Sequence, residues 1–132
     1  MTHALFAVWY MKQVVGYLLL CYLFLVWHEF GHIFAAFILG IRVKKIGISL
    51  KGAYTIRDIG PPHKNLIISF FGPLVSIIIG LILLKAHLDF YAIMNFVIAG
   101  SNLLPIKNSD GDRMWTCWQQ IQKEHKCRTH NN

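Results

Sequence analysis

His28 and His32 stand one helical turn apart in the pentapeptide His28-Glu29-Phe30-Gly31-His32. Residues i and i+4 share a helix face, so both imidazoles can grip one metal ion. Glu29 lies beside them, placed to take a proton from a water that the metal has acidified. The motif sits in an almost uninterrupted run of Leu, Phe, Ile and Trp. Ionisable side chains at membrane depth are costly and mark function by default. The bland alternative is a satisfied polar cluster in a helix bundle, and the cost of an unpaired Glu in hydrocarbon argues against it.

A catalytic zinc usually has three protein donors and one open position. The third donor is expected from Asp110, in Asn102-Leu103-Leu104-Pro105-Ile106-Lys107-Asn108-Ser109-Asp110-Gly111. His32 precedes Gly40 by eight residues, which puts it roughly 12 Å inside the end of its helix. Pro105 disrupts helical hydrogen bonding and turns the chain back towards the metal. The competing role for Asp110 is an N-cap for the following helix, which Asp112 could also supply. Asn102 falls at similar depth, where its amide can donate to a substrate carbonyl or a developing oxyanion. An interhelical hydrogen bond is the alternative for Asn102, and the more natural role for Asn95.

Membrane elements must position these groups. The chain has 132 residues, 55% hydrophobic and 14% charged, with a mean hydropathy of +0.47. That balance suits one mainly α, polytopic membrane domain. Three segments approach the roughly 20 apolar residues of a membrane helix: 13–40, 65–84 and 88–106. Lys12 and Gln13 are expected to interrupt the apolar stretch before the first span, leaving Trp9 and Tyr10 as an interfacial anchor. Between the first two spans, Ile46, Ile48 and Leu50 alternate with polar residues, as do Tyr54 and Ile56 around Thr55. Period-2 alternation about a Lys-Gly turn predicts a membrane-associated β-hairpin over 43–58. The core is expected over 1–112. The tail, 113–132, carries Met114, Trp115, Trp118 and Ile121 at helical spacing and suits a surface-lying or packing amphipathic helix.

Charge gives orientation. The net charge of +7 clusters beside apolar segments, which suits anionic headgroups and not nucleic acid. Arg42, Lys44, Lys45, Lys51, Arg57 and Lys64 share one loop, and the tail is also basic. The positive-inside rule places the 41–64 loop and the tail in the cytoplasm and the N-terminus outside. A bacterial cell membrane is the expected setting. Three cysteines, Cys21, Cys117 and Cys127, match no zinc knuckle or redox pair. Cys21 reads as a buried hydrophobe. The first apolar segment carries the histidines, so it is expected to be retained.

The chain resembles the site-2 protease family of intramembrane zinc metalloproteases. HEFGH at 28–32, FGPLVS at 71–76 with its preceding Phe70, and NLLPIKNSDG at 102–111 carry the resemblance, in the family's order. It implies one Zn2+ per chain held by His28, His32 and Asp110, with Glu29 as base and Asn102 assisting substrate binding. It also implies a three-helix core with a β-element after the first core helix. Where the family often has Asn, this chain has Ser76. Gly72-Pro73 is expected to permit close helix packing at a kink, with no chemical role.

Three function classes compete. The first is an intramembrane zinc endopeptidase cutting a transmembrane protein or peptide. The second is a metal transporter using His28, Glu29, His32 and Asp110, for which three spans make a poor conduit. The third is a catalytically silent relative that binds membrane proteins, against which the intact ligand set argues.

Overall fold

Four helices and one hairpin follow in the order α1 (Thr2–Ile38), β1 (Val43–Ser49), β2 (Gly52–Arg57), α2 (Pro62–Lys85), α3 (Asp89–Leu103) and α4 (Asp110–His130). This computed structural model describes residues 2–49 and 52–130. The chain is mainly helical, with one small antiparallel sheet.

Lys12 and Gln13 interrupt the apolar run but not the backbone: α1 runs unbroken for 37 residues. Lys and Gln are good helix formers, and a polar side chain leaves the backbone bonds intact. The helix stops at Gly40, whose φ of 69° is open to glycine at little cost. Gly40 N–H then donates to Phe37 O and Ile41 N–H to Ala36 O, which satisfies two terminal carbonyls.

Pro62 opens α2, where its missing N–H has no helical partner to lose. α1 and α2 run antiparallel. Lys64 Nζ reaches Leu39 O at 2.9 Å, whereas His28 contacts Ser76 further along. Ala35, Ala36 and Ile68 form the core of their interface, flanked by Leu39, Ile41, Val43 and Phe71.

α1 and α2 are the two described helices long and apolar enough to cross a membrane. The expected third span over 88–106 is shorter: α3 has 15 residues, about 22 Å against a hydrocarbon core of about 30 Å. Leu104 is extended, ψ 138°, because the following Pro105 disfavours the helical conformation there.

The hairpin pairs Ile46 with Thr55 and Gly47 with Tyr54, with an irregularity between Val43 and Lys45. Leu50 and Lys51, on which the expected turn and part of the apolar face fall, lie outside the described residues. Thr55 and Arg57 of β2 reach side chains on α1 and α2, while Tyr54 and Ile56 are exposed. The strand therefore presents its polar side to the bundle. Ile46 on β1 is exposed too. An ion pair between Lys44 and Asp58 closes the hairpin base.

At the start of α4, Ser109 Oγ accepts from Asp112 N–H at 3.1 Å. Ser109 is thus the N-cap, a role the sequence had offered to Asp110 or Asp112. Along α4, Trp115 and Trp118 are exposed, while Met114 and Ile121 are half-buried. The three cysteines are free; Cys117 is buried and Cys21 only half-buried.

Candidate metal centre

With Ser109 capping α4, the Asp110 carboxylate is left to turn inwards. Its Oδ2 lies 3.1 Å from His28 Nε2 and 3.0 Å from His32 Nε2, and the two imidazole nitrogens are 3.3 Å apart. The structure thereby brings together the two histidines of α1 and the aspartate of α4. All three are buried.

The far side of each ring is also held. His32 Nδ1 lies 2.7 Å from Ile68 O. A carbonyl only accepts, so Nδ1 carries the proton and the neutral ring keeps a lone pair on Nε2. Ile68 precedes Pro73 by one turn and a fraction. Pro73 lacks an N–H, so the helical bond to the Ser69 carbonyl, next to Ile68, is missing and the ladder is loosened beside it. His28 Nδ1 sits 3.1 Å from the buried Ser76 Oγ, which orients that ring in the same manner.

With the His28 proton also on Nδ1, towards Ser76, three lone-pair atoms converge at close spacing, an arrangement that a cation among them would satisfy. Donors 2.0–2.1 Å from a tetrahedral zinc sit roughly 3.3 Å from one another. The observed spacing and the N, N, O donor set fit such an ion. The glycine at 72 leaves the necessary room: a Cβ there would overlap His32 Nε2 and lie 2.8 Å from His28 Nε2. Its role is thus more direct than helix packing alone. Gly31, inside the pentapeptide, does serve packing, since a Cβ there would lie 2.6 Å from Phe71 O.

Glu29 joins His28 and His32 in a group whose ligand atoms all lie within 4.8 Å of one another. Thr55 Oγ1 on β2 donates to Glu29 Oε2 at 3.0 Å.

A cavity of about 190 Å3 opens beside the donors, lined by Glu29, His32, Thr55, Asn102 and Asp110, with Arg57 and Arg113 on its wall. Asn102 donates to Ile98 O of its own helix at 2.9 Å. Asn95, by contrast, is wholly buried and donates to Tyr91 O, also within its helix. A larger apolar groove of about 600 Å3 between α2 and α4 contains none of the donors.

Sequence reasoning did not find the contacts of Thr55 or of the Ile68 carbonyl, and of Ser76 it noted only that the family often has Asn there. Ser76 alone carried a signal, as a hydroxyl in an apolar helix three residues after a proline.

A model of the Peptidase M50B-like family matches residues 1–104. Its match stops short of Asp110, whose placement rests on the distances above. A zinc metalloprotease of Methanocaldococcus jannaschii is 32% identical over 108 residues, covering 73% of this chain and 32% of that protein. The solved Site-2 Protease from Methanocaldococcus jannaschii resembles the fold with a TM-score of 0.66 at 31% identity, covering 74% of this chain and 50% of that one. The chain spans about a third of the first relative and half of the second. Since the family match extends over well beyond half its length, this chain belongs to the Peptidase M50B-like family, among the site-2 proteases.

Proposed function

We propose that this chain is an intramembrane zinc metalloendopeptidase that hydrolyses a peptide bond in or near a transmembrane segment of a membrane-protein substrate. The observation that carries the reading is the triangle of His28 Nε2, His32 Nε2 and Asp110 Oδ2, with Glu29 beside it. The three triangle residues would hold one zinc. When bound, zinc supplies Lewis acidity, acidifying a water and polarising a carbonyl.

The chain's own groups do the rest. Glu29 accepts the proton of the attacking water and returns it to the leaving amine. Thr55 occupies Oε2, which leaves Oε1 for that transfer. Asn102 spends one amide hydrogen on Ile98 O, and the second can meet the substrate carbonyl oxygen. A helical substrate hides its carbonyls in hydrogen bonds, so it must unwind locally. An edge of the hairpin can receive the extended segment by strand addition.

In this reading α3 completes a three-span core, with the 41–64 loop and the tail in the cytoplasm. Transport is less well supported. A conduit needs metal-ligating groups in series, and the described residues hold one such group.

The deciding experiment compares wild type with Glu29→Gln in lipid nanodiscs on a library of membrane-protein fragments. Zinc in both proteins and cleavage in the wild type alone are expected. Wild-type zinc binding with no Glu29-dependent cleavage of any fragment would favour the silent relative.

A further inference from the structure

The cavity beside the triangle has two arginines on its wall, Arg57 and Arg113. Among the described residues, no carboxylate lies within 4.0 Å of Arg57 or Arg113. Arg57 Nη2 makes one long contact of 3.5 Å, to Ser69 Oγ. Arg57 Nη1 is fully buried and has no hydrogen-bond partner. A buried guanidinium nitrogen left unpaired is costly.

The acids nearby are committed elsewhere. Asp58 pairs with Lys44. Asp112 Oδ2 accepts from Asn108 N–H. Asp110 lies between the histidines, and Glu29 accepts from Thr55. Burial, and next to it the Arg113 guanidinium, pulls Arg57 below the usual arginine range, and the more distant charges of Asp110 and Glu29 only partly oppose this. Two like charges thus share one wall. They line both the 190 Å3 cavity and an adjoining cleft of about 500 Å3 that runs between β2 and α4.

We propose that Arg57 and Arg113 form a carboxylate subsite at the mouth of this cavity, selecting peptides that carry an acidic group close to the scissile bond. A carboxylate satisfies a guanidinium fork with two parallel hydrogen bonds and neutralises the pair. It would also supply the partner that Arg57 Nη1 lacks. The inference rests on the protease reading for the identity of the ligand. The carboxylate can come from an Asp or Glu side chain or from the substrate's own C-terminus.

The test uses the full zinc-loaded chain in nanodiscs and fluorescein-labelled peptides of one apolar sequence. Single Glu or Gln residues are stepped through the central positions, and each peptide is made with a free or an amidated C-terminus. Affinity is read by fluorescence anisotropy, and cleavage separately by mass spectrometry.

The best-placed Glu peptide should bind about tenfold more tightly than its Gln counterpart, as one charged hydrogen-bonded pair allows. Arg57→Gln and Arg113→Gln should each erase that advantage, and Arg57→Lys should keep part of it. Zinc content should not change in any of them. An advantage that follows the free C-terminus instead assigns the terminal carboxylate as the ligand.

Arg113→Glu should reverse the preference towards a Lys peptide, which a merely structural arginine would not do. Equal affinity of all four peptide types for wild type overturns the subsite, as does a preference that survives in the double Gln variant. A preference that depends on the arginines, seen without any cleavage, would keep the subsite and overturn the protease reading alone.

Discussion

Thr55 on β2 donates its hydroxyl hydrogen to Glu29 on α1 at 3.0 Å, a contact between residues 26 positions apart. It ties the hairpin to the candidate base. Thr55→Val keeps the shape and removes the donor. Cleavage should fall roughly tenfold, the value of one hydrogen bond to a partly buried carboxylate. Zinc content should be unchanged and Thr55→Ser should restore the rate. Steady-state cleavage beside metal analysis checks this, and full activity in the Val variant would assign the contact to packing.

The triangle predicts an order of metal loss. His28→Ala and His32→Ala each remove a neutral nitrogen donor from a buried site and should strip zinc. Asp110→Ala should weaken it, because two histidines still face the ion. Elemental analysis after dialysis against a mild chelator ranks the three. Full occupancy in His28→Ala would remove that residue from the ligand set.

The Gly72 backbone lies against both imidazoles. Gly72→Ala should displace them and lower zinc affinity, with helix content by circular dichroism unchanged. Ser76→Ala should act more mildly. It frees one ring from its outer partner and should reduce metal affinity by about 10-fold, the low end for such partners. Competition titration with a zinc dye reads both, and wild-type affinity in Gly72→Ala would show that the helices simply move apart.

Proline introduced at strand positions 46 or 47 of β1, or 54 to 56 of β2, removes a backbone donor. At a position whose N–H faces the substrate, it should reduce cleavage without loss of zinc, since no ligand lies in this segment. If every folded proline variant cuts normally, the hairpin is a lid and the substrate binds elsewhere.

The donors were legible because they follow local rules. The i, i+4 spacing put His28 and His32 on one face, and Pro105 announced a chain reversal before Asp110. The cap of α4 was harder. The sequence offered Asp110 or Asp112 for it, whereas Ser109 takes it by accepting from Asp112 N–H, and Asp110 is left to face the histidines. The contacts of Thr55 and Ser76 were out of reach. Their partners lie 26 and 48 positions away, and no periodicity encodes such a distance. The polarity of the hairpin also escaped, since alternation shows that two faces differ but not which one turns inwards. Helix ends followed chemistry where glycine or proline acts, at Gly40 and before Pro105. At Lys12 and Gln13 polarity changes and backbone preference does not, so the helix continues through them.

The cavity reaches Glu29 and His32 within α1 and is otherwise walled by β2, the end of α3 and the start of α4. Its mouth therefore opens at the pole of the bundle that carries the hairpin. In sealed vesicles, a membrane-impermeant chelator would meet the metal from that pole only. Molecules inserted one way would lose their zinc, and those inserted the other way would keep it. The retained fraction becomes a compass for each molecule's orientation, read without a tag or an antibody.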